Sequence, residues 1–112
     1  MPRRLEAYTE EILSSLDEIE LFIRGMDILG YSQDAKTKAA VERKLLNIGE
    51  ALRQASQISG EIELKITDFR KIVGFRNILV HGYFGVDDAL VWDVVSTKLN
   101  RLKSEIKDLD QA

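Results

Sequence analysis

Apolar residues recur at every third or fourth position along most of this chain, and that spacing favours helices over strands. The pattern predicts one long amphipathic helix from Leu5 to Leu29, ended by Gly30. A second helix is predicted from about Asp34, which is a suitable N-cap, to about Ser59. The apolar positions of the second helix are Val41, Leu45, Ile48, Leu52 and Ala55.

The second half of the chain continues the pattern after a short interruption. The segment from Glu61 to Thr67 alternates apolar and polar residues, but one isolated run cannot form a sheet, so it is interpreted as a connecting loop. A third helix is predicted from Asp68 to about His81, where Gly82 favours termination. The fourth helix is capped by Asp87 or Asp88. Its apolar positions are Val91, Val95, Leu99, Leu102, Ile106 and Leu109.

These helices predict an all-α fold, an antiparallel bundle of four main helices that occupies residues 1–112 as a single domain. The composition, 45% hydrophobic and 31% charged, is that of a globular protein. A domain of 112 residues buries a modest share of its surface, so we expect some apolar surface to contact a second copy in a homodimer.

The charge balance and the absent residue types exclude several classes of function. A net charge of −3 argues against extensive electrostatic wrapping of nucleic acid, so any RNA contact must be local. No apolar run approaches the roughly 20 residues of a membrane span, and no signal peptide is recognisable. The chain has no cysteine and one histidine, which disfavours a metal centre. We therefore expect a cytoplasmic protein without a membrane segment.

One charged residue interrupts the apolar stripe predicted for the third helix. The stripe consists of Phe69, Ile72, Val73, Arg76 and Val80. Because a guanidinium keeps its charge, Arg76 requires a carboxylate, a group of carbonyls or a bound anion. A structural ion pair and a functional anion site both satisfy this requirement.

Three polar residues follow Arg76 closely. His81 is five residues further on, and on a continuous helix its ring would point away from Arg76 unless the chain turns at Gly82. Asn77 precedes His81 by four residues, so the two are neighbours on the helix surface. Tyr83 lies just beyond the glycine. Each also has an ordinary interpretation: a helix-capping histidine, an exposed amide and a tyrosine that covers the core.

Taken together, the segment Arg76-Asn-Ile-Leu-Val-His81-Gly-Tyr83 resembles the Arg-x4-His-x-Tyr signature of the HepT toxins, a branch of the HEPN superfamily. The flanking stretches are similar in order as well, and the resemblance covers nearly the whole chain. They are Val41-x-Arg43-x-x-Leu46-x-Ile48-Gly49-Glu50-Ala51, Ile72-Val73-Gly74-Phe75, Phe84-Gly85-Val86-Asp87 and Val91-Trp92.

The resemblance implies the toxin of a toxin–antitoxin pair, an endoribonuclease that cleaves RNA without metal or cofactor in a cleft between two copies. Arg76 and His81 would be the catalytic residues, and Asn77 would position the phosphate or His81. The antitoxin would be an MNT-type nucleotidyltransferase that attaches AMP to Tyr83. Glu50, on a polar face of the second helix with Arg43 and Asn47, would be the partner of Arg76 when no substrate is bound.

Another function remains compatible with the same fold. A non-catalytic helical module could bind the nucleotidyltransferase and present Tyr83 to it, since HEPN relatives include proteins that only bind. A purely structural bundle is disfavoured, because it gives no reason for Arg76 to interrupt an apolar stripe. RNA cleavage by the isolated chain separates these functions.

Overall fold

The structure, a computed structural model, describes residues 4–81 and 86–110, and this part of the chain contains helices and no strand. The elements are α1 (Leu5–Ile23), α2 (Ile28–Gln33), α3 (Ala35–Ile58), α4 (Glu61–Lys65), α5 (Phe69–His81), α6 (Asp88–Asp93), a π-helical segment (Val94–Lys98) and α7 (Leu99–Asp110). The all-α prediction is confirmed. Among these helices, none has the length and apolarity of a membrane span.

Helix α3 is the centre of the bundle, because it packs against both α1 and α5, while α1 also contacts α7. Its boundaries agree with the prediction: Asp34 is the N-cap and Ser59 follows the last turn. The Asp34 carboxylate accepts hydrogen bonds from the backbone N–H and the hydroxyl of Thr37, and these bonds lower the Asp34 pKa. Its predicted apolar stripe is fully buried.

The first helix is shorter than predicted, because it ends at Ile23 rather than Leu29. Gly25 adopts a φ of 77°, in the left-handed region that glycine occupies without strain. Asp27 then caps a new helix, since its Oδ1 accepts a hydrogen bond of 2.8 Å from the N–H of Gly30. Gly30 therefore lies inside α2 and does not end a helix.

The segment from Glu61 to Thr67 was predicted as a loop, and this prediction is wrong because it contains α4. Ile62 and Ile66 are 1% and 2% exposed, whereas Leu64 between them is 87% exposed. A strand would place all three on one face, whereas a helix places residues four apart on one face and the residue midway between them on the opposite side. The alternating pattern therefore contains two residues with helical spacing, Ile62 and Ile66, on the buried face.

The predicted stripe of α5 is partly wrong. Phe69, Ile72 and Phe75 are the buried residues of this helix, and Val80 is 53% exposed. The buried face is therefore rotated toward Phe75, so that Arg76 lies at the edge of the core. Helix α5 begins directly after Asp68, as predicted, but the Asp68 carboxylate pairs with Arg101 of α7 at 2.8 Å.

The last helical run contains a feature that the periodicity did not reveal. Asp87 caps it, as predicted, by accepting a hydrogen bond from Ala89 N–H, but a π-helical segment separates α6 from α7. A π turn is wider than an α turn, so residues spaced by four stay on one face. Val91, Val95 and Leu99 have this spacing and are all buried.

Helices α3 and α5 approach closely at Gly49, which is buried. A Cβ added at this glycine would lie 3.2 Å from the carbonyl oxygen of Ile72 and 3.8 Å from the Cβ of Arg76. The absence of a side chain at position 49 therefore sets the spacing between the two helices. It also brings the next residue of α3, Glu50, beside the turn that carries Arg76.

This close approach predicts different effects for two glycine-to-alanine substitutions. Gly74 is also helical, but a Cβ there meets nothing within 4 Å. We expect Gly74→Ala to raise the free energy of unfolding by about 0.5–1 kcal/mol through helix propensity alone. Gly49→Ala should lack this gain or destabilise the protein, because its methyl group crowds the backbone of α5. Urea denaturation measures both, and equal stabilisation would contradict this account.

Candidate functional site

Helix α5 carries three of the residues singled out in the sequence. Arg76 is half-buried, with 40% of its side chain exposed, whereas Asn77 and His81 are exposed. The helix is continuous from Phe69 to His81. At 3.6 residues per turn, five residues separate the directions of Arg76 and His81 by about 140°. Up to His81, the helix therefore points these two side chains apart.

Arg76 has a carboxylate partner on the neighbouring helix. Its Nε contacts Oε1 of Glu50, and the Glu50 side chain is 30% exposed. The pair lies at the open edge of the α3–α5 contact, so the guanidinium is neutralised while part of it faces solvent. The predicted proximity of Glu50 to Arg76 is thus present in the structure.

The three residues of the polar face predicted on α3 differ in burial and in what they contact. Glu50 lies beside α5, Asn47 is partly buried and Arg43 is exposed. Helix α3 packs against α1 and against α5, and Gly49 belongs to the contact with α5. Glu50 is therefore at the edge of a helix contact, not on a free surface.

Sequence reasoning missed a further member of the cluster, Arg53. Its Nη2 lies 3.5 Å from Oε2 of Glu50, one helical turn away on α3. Glu50 therefore faces two arginines, with Arg76 at one carboxylate oxygen and Arg53 at the other. The Glu-x-x-Arg spacing of positions 50 and 53 was a readable signal, because residues three apart are neighbours on a helix.

Helix α5 also carries exposed apolar side chains among its polar residues. Ile78 and Val80 are 43% and 53% exposed, and both lie between Arg76 and His81 in the sequence. The helix that carries the motif thus presents apolar area to solvent beside its charged and polar groups.

Helix α6, which follows the motif in the sequence, is held in place by contacts with α3 and α2. Asp88 pairs with Lys38 of α3 at 3.0 Å, and Trp92 packs against Tyr31 of α2 with ring centroids 5.5 Å apart. Burial is the main cause that raises the pKa of Tyr31. Gly82 and Tyr83 lie outside the described residues, so the predicted turn at Gly82 and the position of Tyr83 stay predictions.

The sequence pattern of the family described as Ribonuclease HepT-like matches residues 12–109. The chain belongs to this family. The match includes α3 and α5, which supply Glu50, Arg53 and Arg76, as well as His81. The resemblance identified from the sequence is thereby confirmed at the level of the family.

Individual relatives agree with the HepT-like assignment over almost their entire length. A protein of Methanocaldococcus jannaschii named "Putative RNase" is 35% identical over 99% of this chain and 99% of its own length. A "Probable ribonuclease HepT" of Thermococcus cleftensis is 32% identical over 97% of this chain and 98% of its own length. No solved structure matches the chain.

The half-buried position of the Arg76–Glu50 pair predicts a measurable interaction energy. A double-mutant cycle of Arg76→Gln and Glu50→Gln should give a coupling free energy of about 0.5–1 kcal/mol, at the upper end for partly exposed pairs. The more exposed pair of Lys65 and Glu61 on α4 is the control, and about 0.3 kcal/mol is expected there. A coupling at Arg76–Glu50 no larger than in the control would contradict the described contact.

Proposed function

We propose that this HepT-like protein is a metal-independent endoribonuclease and that Arg76 and His81 are its catalytic residues. The observation that carries the proposal is the place of Arg76 in the structure, taken together with the membership of the chain in a ribonuclease family. Its guanidinium lies at the open edge of the core against a single carboxylate, which an incoming phosphate can replace. Arginine suits this exchange because its planar fork matches carboxylate and phosphate equally.

The proposed reaction is an internal transfer at the RNA phosphate. The 2′-hydroxyl attacks the adjacent phosphorus, its proton goes to an imidazole, and the bond from phosphorus to the 5′-oxygen breaks as that oxygen receives a proton. The products are a 2′,3′-cyclic phosphate and a 5′-hydroxyl. His81 transfers the proton as general base or acid, and Arg76 stabilises the charge on the phosphoryl oxygens. Asn77 positions the phosphate or the His81 ring.

The proposed active form is a homodimer with the reaction in a cleft between two copies. Two observations support it. Arg76 and His81 diverge by about 140° along the continuous helix, so one copy of α5 does not aim both at a single phosphate. Ile78 is three residues from His81 and Val80 is four residues from Arg76, so each of these exposed apolar side chains lies beside one of the two proposed catalytic residues, where a second copy would cover it.

The proposed biological role is that of a cytoplasmic toxin controlled by an MNT-type nucleotidyltransferase antitoxin. AMP attached to Tyr83 would place a phosphate two residues from His81. Its negative charge would repel the RNA backbone and compete for Arg76, as other charge-adding modifications do. This role rests on the HepT-type signature Arg-x4-His-x-Tyr at positions 76–83.

The proposed activity is tested with purified protein and single-stranded RNA in the presence of EDTA. We expect cleavage by the parent chain, and a loss of about 10²–10⁴-fold in His81→Ala, the range of general acid–base catalysis. Arg76→Ala should show a comparable loss. Arg24→Ala, which removes an exposed arginine after α1, should cut at the parent rate.

Two results would contradict the proposal in different ways. Parent-rate cleavage by the Arg76 or His81 variant would remove that residue from the mechanism. A parent chain that folds, binds the nucleotidyltransferase and leaves RNA intact would identify a non-catalytic module.

The proposed modification is tested by mass spectrometry after co-expression with an MNT-type nucleotidyltransferase. We expect a mass increase of one AMP group on the peptide that contains Tyr83, together with loss of RNA cleavage. The other two tyrosines, Tyr8 and Tyr31, are 7% and 0% exposed and serve as internal controls. Tyr83→Phe should stay unmodified and active. An unmodified Tyr83 in the presence of active enzyme would overturn this part.

A further inference from the structure

The cluster around Glu50 holds more positive than negative charge. Arg76 and Arg53 each carry one positive charge, and the single carboxylate between them carries one negative charge. The three side chains therefore sum to one net positive charge, in a chain whose overall charge is −3. Such a local excess is what an acidic protein requires to bind an anionic polymer.

Arg53 has unused hydrogen-bonding capacity. Its contact with Glu50 is a single one of 3.5 Å, and its Nε is buried and has no hydrogen-bond partner. Arg101 gives the contrast, since it donates two hydrogen bonds to Asp68, of 3.0 and 2.8 Å. The Arg53 side chain is nevertheless 41% exposed, so a ligand in solvent reaches it at atoms other than the buried Nε.

From this arrangement we infer that Arg53 is a second phosphate-binding residue, which contacts a backbone phosphate next to the one held by Arg76. The inference rests on the proposed ribonuclease function. An RNA strand that replaces Glu50 at Arg76 lies at the same edge of α3 as Arg53, because Glu50 contacts both arginines. A phosphate can accept bidentate hydrogen bonds from the Arg53 guanidinium, whereas the contact with Glu50 is single and long.

Glu50 then has a defined part in the same exchange. It holds both guanidiniums when RNA is absent and competes with phosphate for each of them. Its removal should therefore strengthen RNA binding, whereas removal of either arginine should weaken it. This opposite sign distinguishes a competing carboxylate from one that serves only to build the fold.

The inference is tested by RNA binding in a His81→Ala background, which prevents cleavage. The probe is a fluorescein-labelled single-stranded RNA of about 12 nucleotides, followed by fluorescence anisotropy at several salt concentrations. We expect Arg53→Gln to weaken binding roughly 3- to 10-fold. The slope of log K against the logarithm of the salt concentration should become shallower by about 0.7, the value for one lost phosphate contact on a single strand. Arg53→Lys should keep part of the affinity.

A second background removes the indirect explanation that Arg53 merely orients Glu50. In Glu50→Gln protein no carboxylate remains at that position, so an effect of Arg53→Gln there must be direct. We expect Glu50→Gln to tighten binding and Arg53→Gln to weaken it again with the same change in salt dependence. Arg24→Gln is the matched control and should change neither affinity nor salt dependence, because Arg24 is exposed after α1.

The outcomes separate this inference from the proposed function. If Arg53→Gln leaves affinity and salt dependence unchanged in the Glu50→Gln background while Arg76→Gln reduces both, Arg53 is not a phosphate contact, and the ribonuclease proposal stands. If the His81→Ala protein binds no RNA and the parent chain cuts none, both fail together. Thermal unfolding followed by circular dichroism verifies that each variant is folded.

Discussion

The contact between α3 and α5 at Gly49 is the constraint on which the rest of the site depends. A glycine there lets the backbones approach until a Cβ would lie 3.2 Å from the Ile72 carbonyl oxygen. At that spacing the next residue, Glu50, reaches Arg76 across the gap. The ion pair is thus a consequence of helix packing. The apolar faces of the two helices bury Ile48 and Ile72, and the charged groups meet at the open edge of the α3–α5 contact. Fold and site share one determinant.

The charges at the open edge of this contact suit the RNA binding proposed for an acidic chain. Elsewhere in the described residues several cations are already paired, such as Lys38 with Asp88 and Lys103 with Asp17. At this edge one carboxylate contacts two arginines, and in the proposed mechanism a phosphate would replace Glu50 at Arg76. Local excess charge, not net charge, is the relevant quantity for such a protein.

Much of the fold followed from periodicity, and the failures have identifiable physical causes. The long helices were predictable because their apolar residues recur with helical spacing, as in α3. Two short helices were not predicted. Helix α2 starts because Asp27 caps a new helix after the turn at Gly25. Helix α4 was hidden because its buried pair, Ile62 and Ile66, also fits an alternating pattern. The π-helical segment has no marker in a single sequence.

The site was predictable to a different extent. Arg76, Asn77, His81 and Glu50 were predicted from the motif and its family resemblance; the contact of Glu50 with Arg76 is present, and the functional roles of these residues stay predictions. Arg53 was not predicted because it lies beyond the family-like stretch of this helix, which ends at Ala51, although its spacing from Glu50 was readable. Helical geometry separates the directions of Arg76 and His81, and this is the physical reason to place the reaction between two copies.

The most direct test of that central claim is the RNase activity of mixed dimers made from Arg76→Ala and His81→Ala chains. Each homodimer is expected to be inactive. If one copy supplies Arg76 and the other His81, each mixed dimer regains one of its two sites, and a random mixture recovers roughly a quarter of the parent activity. A mixture that exchanges subunits and stays inactive would contradict the shared cleft and place both residues of each site in one chain.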